Sequence, residues 1–315
     1  MIYIGALSQL FQAVLVLLLA PLLLGWVNQC RAWLQNRSGP GLLRPYRNML
    51  KLLNKEAVVA HNASVLFRAT PYLVLSCMAL AAGIVPILAV DLPFAPAADV
   101  IALVGIFALA RVFSALAAMD VGTAFGSMGA RREMMIAFLA EPALLMVFFT
   151  ASLISQSTAL NTIVASLAHR QFVLYPSMAF AGVAFLIVLL AENARIPVDN
   201  PTTHLELTMI HEALILEYSA RHLALIEWAS SVKLTVYMTI GFALFVPWGI
   251  PQAGDFAAMP LAAVLLLFKL LVAGAGLALL ETISAKMRIF RAPEFLGTAF
   301  LLAVLGMLTR FLLGI

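Results

Sequence analysis

Charge is scarce in this 315-residue chain. Asp, Glu, Lys and Arg make up 11% of it, and apolar residues make up 63%. A soluble domain carries about 25% charged residues, and a surface this poor in charge could not face water all round. Cysteine is nearly absent as well. Cys30 and Cys77 form no C-x-x-C pair, which excludes a disulfide framework, structural zinc and an internal iron–sulfur cluster. The five histidines, His61, His169, His204, His211 and His222, all fall outside the long apolar runs, so the axial ligands of a membrane haem are missing. His211-Glu212-Ala213-Leu214-Ile215 lacks the second histidine of a zinc protease. His204 and His211 are seven apart, a spacing that a ligand pair could use, but they read as loop histidines. No phosphate-binding loop, nucleophile elbow or dinucleotide fingerprint is present. Gly122, Gly126 and Gly129 read as turn and packing glycines. The chain offers no catalytic centre, no metal site and no nucleic-acid-binding pattern of its own.

Long apolar runs occur eight times: Leu10–Val27, Tyr72–Val90, Val100–Met119, Met134–Ile154, Val173–Ala191, Leu234–Ile250, Leu261–Leu280 and Phe295–Leu313. Each has about the 17–25 residues that carry a helix across ~30 Å of hydrocarbon. Lipid leaves backbone groups no outside partner, so at this length the runs must be helices. The predicted fold is all-α, one polytopic membrane domain over residues 1–315. The first run has no basic residue before it and no A-x-A site after it, and it reads as a span rather than a cleaved signal. Fifteen Lys and Arg residues fall in the odd-numbered loops and one, Arg170, in the even-numbered ones. The positive-inside rule then puts the odd loops in the cytoplasm and both termini outside, in a plasma membrane.

Two cytoplasmic loops, residues 28–70 and 192–233, are long enough to hold structure. In the first, Arg47, Lys51 and Lys55 recur every four residues while Tyr46, Met49, Leu50 and Leu53 take another face. That pattern predicts a basic amphipathic helix at the headgroup level, suited to a lipid anchor or to subunit docking. In the second, Pro197 and Pro201 break the chain, and a helix is expected over about Thr202–Ala229, with Glu217 pairing Arg221.

Ionisable groups inside spans are costly and point to function. Arg111 lies about 12 Å from the cytoplasmic end of its span, Glu141 about 10 Å and Lys269 about 17 Å, by the helical rise. Glu192 and Glu281 close spans 5 and 7, and Asp120 closes span 3. Together they suggest a half-channel opening inward, with carboxylates exchanging protons. Static pairs, Arg111 with Glu141 and Lys269 with Glu281, are the alternative.

Three segments resemble one family. Glu192-Asn193-Ala194-Arg195-Ile196-Pro197-Val198-Asp199, running through Glu206-Leu207 to Glu217-Tyr218-Ser219, resembles the loop after span 5 of complex I subunit 1. Asn36-Arg37-Ser38-Gly39-Pro40-Gly41, continuing through Arg44-Pro45-Tyr46-Arg47 to Lys51-Leu52-Leu53, is a second match. Arg111 through Met119-Asp120-Val121-Gly122 and Gly129-Ala130-Arg131-Arg132-Glu133 to Glu141-Pro142 is a third. The likeness covers nearly the whole chain. The short Gly39-Pro40-Gly41 turn, Glu141-Pro142 and Lys269 are similar to the hydrogenase branch, the membrane subunits of formate hydrogenlyase and hydrogenase-4. Thr202 and His204 stand where complex I proper has glutamates, and Val198 stands where it has Phe; Glu206 remains.

The resemblance implies a membrane subunit that anchors a peripheral redox arm and couples electron transfer to movement of H⁺ or Na⁺. It implies Glu141, Glu192, Glu281 and Lys269 as ion-transfer groups, with Arg111 tuning Glu141. It assigns Arg37, Arg195, Asp199, Glu206 and Glu217 to the interface with that arm or a quinone-like cavity, and His204 as a substitute relay. Implied partners are an iron–sulfur small subunit, a large subunit with a nickel–iron centre and antiporter-like membrane subunits. A quinone-reactive respiratory subunit is the alternative, and a stand-alone secondary transporter a more distant one, since the halves show no repeat.

Overall fold

The computed structural model describes residues 2–86, 98–169, 175–199, 209–251 and 258–313. His204, Glu206 and the other residues of 200–208 lie outside them. Among the described residues the protein is helical, with one isolated bridge, Asp99 to Ala159. The helices are α1 (Ile2–Leu34), α2 (Arg44–Leu53), α3 (Val65–Ile84), α4 (Val100–Asp120), α5 (Ala124–Ser155), α6 (Leu160–His169), α7 (Pro176–Glu192), α8 (His211–Ile215), α9 (Ala220–Phe245), α10 (Met259–Ile283) and α11 (Ala292–Leu313).

Among the described residues, seven helices are long and apolar enough to cross a membrane: α1, α3, α4, α5, α9, α10 and α11. The remaining predicted span, the fifth, corresponds to α7, which has 17 residues, Pro176–Glu192. At 1.5 Å per residue α1 and α5, with 33 and 32 residues, reach about 50 Å, well beyond the hydrocarbon. Large apolar side chains such as Leu10, Phe138, Phe268 and Leu301 stay exposed on the outer faces. In water that would be untenable, whereas in lipid it costs nothing.

α9 is the most enclosed long helix, with 67% of its apolar stretch buried against 28% for α10 and 22% for α11. It packs on α1, α2, α3, α6, α7 and α10. Tyr237 fixes its middle, with its ring 4.9 Å from Phe107 of α4 and 6.4 Å from Phe185 of α7. On the other side of the bundle α11 packs on α5 and α7.

Helix ends are held by side chains, as orphan backbone groups require. Ser64, Asp99 and Thr123 cap α3, α4 and α5 by accepting from the amides of Leu66, Ile101 and Gly126. Gln9 and Gln12 of α1 donate to the carbonyls of Gly83 and Val85 at the end of α3, at 2.9 and 2.6 Å. The end of α4 is tied to the start of α3 by Asp120, which accepts from the Ser64 amide at 2.8 Å.

Several expectations need correction. The predicted helix over Thr202–Ala229 is not one element in its described part. The short α8 ends at Ile215, a turn follows, and α9 starts at Ala220 and runs unbroken into the span. Glu217 therefore sits in the turn, off the helix that carries Arg221, and the two form no ion pair within 4 Å. The amphipathic helix of the first loop does form, as α2, but Lys55 lies beyond its Asn54 cap. Only Met49 of its apolar face is buried, while Leu50 and Leu53 are exposed. α6 lies in a loop from which no element was expected.

Candidate functional site: a buried chain of ion pairs

Arg111 is the hub. It lies nine residues before the end of α4, and its side chain is 4% exposed. A guanidinium presents its donors in a rigid planar fork, and here three of its nitrogens face three carboxylates on two helices. Nε lies 3.3 Å from Glu133 and Nη1 2.9 Å from Glu141, both on α5. Nη2 meets Glu192 at the end of α7. Glu192 also pairs with Lys233 of α9 at 2.9 Å. Counting from span ends put Glu192 at the cytoplasmic edge. It is buried, because α7 is short and stops beside the middles of α4 and α9.

From Glu133 the chain turns toward the loops. His211, the first residue of α8, sets Nε2 3.2 Å from Glu133 and Nδ1 3.4 Å from Asp199. Its backbone amide donates to Asp199 at 3.1 Å. Asp199 lies 3.7 Å from Lys286, in the loop after α10. Burial opposes a charge on His211, but the carboxylates of Glu133 and Asp199 outweigh it and hold the imidazole above its usual 6.5. α8 can sit this close because residue 129 of α5 is glycine. A Cβ there would lie 2.8 Å from the Ala213 Cβ and 3.2 Å from the Ile210 oxygen.

A second cluster lies beside the first. Glu281, at the end of α10, is buried and takes Arg195 at 3.1 Å and Arg31 of α1 at 3.5 Å. The Lys269–Glu281 pair, weighed as a static alternative, does not form. Lys269 points the other way along α10 and donates to the carbonyls of Val246 and Trp248, the former at 2.7 Å. It thereby caps the outer end of α9, whose last carbonyls lack helical partners. Twelve residues of helix, about 18 Å, separate Lys269 from Glu281.

The structure thus brings together Arg111, Glu141 and Glu192 directly, joins Asp199 to them through His211 and Glu133, and sets Arg195 and Glu281 in the adjoining cluster. It leaves Lys269 apart. Arg37 is exposed and Glu217 half-buried in its turn. The neighbours of Glu217 are structural: Tyr218 stacks on Phe67 at 4.0 Å, and Ser219 bonds both backbone groups of Val58. Sequence reasoning missed Glu133, Lys233, His211 and Lys286. Glu133 and Lys233 abut the apolar runs at Met134 and Leu234, and extending both helices by a turn or two would have placed them inside.

The five groups Arg111, Lys233, Glu133, Glu141 and Glu192 carry two positive and three negative formal charges. Such a set is one proton short of neutrality, and burial makes that shortfall costly. Glu141 is its outermost member, 30% exposed on the flank of the bundle. No group of three or more His, Cys, Asp or Glu able to hold a metal occurs among the described residues.

Fold and site together define a multi-pass helical membrane protein that gathers its buried charges into an interior chain near one end. The family model described as NADH dehydrogenase matches residues 8–311, and the chain belongs to that family, of complex I subunit 1 type. It is 32% identical over 302 residues to formate hydrogenlyase subunit 4 of Escherichia coli (strain K12), covering 96% of this chain and 97% of the relative. It is 32% identical over 300 residues to hydrogenase-4 component C of the same organism, covering 94% and 93%. Among solved structures, it is similar to a chain of the membrane-bound sulfane sulfur reductase, an archaeal respiratory membrane complex. There the TM-score is 0.78 at 16% identity, with 96% of this chain and 99% of that one covered, a likeness of fold.

Proposed function

We propose that the chain is the integral membrane subunit of a complex I-like, membrane-bound nickel–iron hydrogenase of the formate hydrogenlyase or hydrogenase-4 kind. In this reading it anchors a cytoplasmic redox arm and couples electron transfer to movement of H⁺ or Na⁺. The observation that carries the reading is the buried chain from Asp199 through His211, Glu133 and Arg111 to Glu192 and Glu141. It begins at the loops where an arm would dock and ends on the flank where a second membrane subunit would lie. Near-full-length similarity to two hydrogenase subunits supports the branch. The iron–sulfur clusters and the nickel–iron centre belong to partner subunits. Arg195 and Glu281 fix the adjoining loops, and Lys269 stands outside the path.

Purification from native membranes followed by reconstitution in vesicles tests this. Nickel- and iron–sulfur-containing subunits are expected to co-purify, and electron flow to acidify or charge the vesicles. Glu192→Gln is expected to lower ions moved per electron at least tenfold. A homogeneous single chain that transports a solute unaided would replace the proposal with a transporter.

A further inference from the structure

We infer that His211 is a proton-exchange residue joining the cytoplasmic loops to the buried carboxylates, passing protons between Asp199 and Glu133. The inference deepens the coupling role proposed above and rests on it. Geometry carries it. The two ring nitrogens face carboxylates on different elements, at 3.2 and 3.4 Å, and α8 holds the ring between them. Glu133 in turn shares Arg111 with Glu141 and Glu192. The charged groups acting on the ring are Glu133 of α5, Asp199 and Lys233 of α9; Arg111 of α4 lies behind Glu133 and Lys286 behind Asp199, and Glu212 and Arg132 neighbour His211 and Glu133 in sequence. Arg132 is held to the Met209 carbonyl at 2.7 Å.

Charge supplies the driving logic. The Arg111 set lacks one positive charge, and a proton on His211 or on a member carboxylate supplies it. The exchange balances without any other reactant. A proton from cytoplasmic water reaches Asp199; its O–H bond breaks as a bond to Nδ1 forms, giving imidazolium. The Nε2–H bond then breaks and an O–H bond forms on Glu133, leaving neutral imidazole and a neutral carboxylic acid. The starting tautomer returns by exchange with water at the partly exposed ring, Nδ1 releasing a proton as Nε2 takes one up. Imidazole is suited to this because its charge changes near physiological pH.

The test uses the intact complex. In vesicles, His211→Gln is expected to lower protons moved per electron about 100-fold, the lower end of the range ascribed to a positioned acid–base group, and to flatten the pH profile of coupling. Added imidazole is expected to restore coupling to His211→Gly in proportion to its concentration. Infrared titration of the parent complex with isotope-labelled histidine gives a second readout. An imidazolium band titrating above the free value is expected, lost in His211→Gln and moved to lower pH by Glu133→Gln. If the parent couples and Glu192→Gln does not, yet His211→Gln matches the parent in ratio and pH profile, the relay is overturned while the coupling role stands. If the parent moves no ions, the coupling role fails. A histidine band that titrates at the free value and ignores Glu133→Gln overturns the relay in either case.

Discussion

Arg111 shows how one residue can make a costly arrangement tolerable. Three carboxylates near one another in a low-dielectric interior repel, and each loses its hydration. The guanidinium fork answers all three at once, with Lys233 helping at Glu192. Arg111→Met should therefore destabilise by about 3–5 kcal/mol, the range for removing one partner of a buried pair. Thermal unfolding of the purified protein in detergent would show a lowered midpoint. Arg111→Lys should do better than Met but worse than the parent, because an ammonium is a single point charge. Adding Glu192→Gln to Arg111→Met should recover part of the loss, since it removes one of the stranded negative charges. A double mutant that is simply additive would argue against the shared hub. Arg111 and Glu141 were legible in the sequence as charges inside apolar runs. Glu133 and Lys233 were not, because each lies one residue before an apolar run begins and so reads as part of a loop, although the helix extends past it.

α8 is the element through which the loops meet the membrane helices. It has five residues, too few to hold together as an isolated helix. Its stability comes from contact with α5 at Gly129 and from the anchoring of His211. The pH dependence follows from the raised pKa of His211. A group bound more tightly when protonated contributes fully below its unfolded value of about 6.5, and the contribution is lost as pH rises through the folded value. Hydrogen exchange at residues 209–216, corrected for the intrinsic rate, should show protection falling above neutral pH. His211→Gln should abolish that slope. Gly129→Ala should remove the protection at every pH, because its Cβ meets the Ala213 backbone and side chain, neither of which can swing away. Periodicity could not reveal α8. It is shorter than the window in which a helical pattern can be told from chance, and the expected helix across Thr202–Ala229 absorbed it. α2, by contrast, was legible because Arg47 and Lys51 stand four apart on one face of a full ten-residue helix, with Tyr46, Met49, Leu50 and Leu53 on another.

At the scale of the whole molecule, the two ends are held by different physics. One end is built from ion pairs: Arg31, Arg195, Glu281, Asp199, Lys286 and the Arg111 set. The opposite end is built from side chains that cap backbone: Lys269 on Val246, Gln12 on Val85 and Asp99 on Ile101, with Asp99 also accepting from Thr158 at 2.9 Å. The basic loops belong to the first end, so by the positive-inside rule it is the end expected to face the cytoplasm, with both termini expected on the other side. Neither native cysteine interferes with a labelling test, since Cys30 and Cys77 are buried. In intact cells, a membrane-impermeant maleimide should label Ser157→Cys, in the turn between α5 and α6, and leave Arg37→Cys untouched until the membrane is opened. The reverse pattern would turn the molecule over in the bilayer. His211 and Asp199 would then face away from the cytoplasm, and a cytoplasmic redox arm would have no charge chain to dock against.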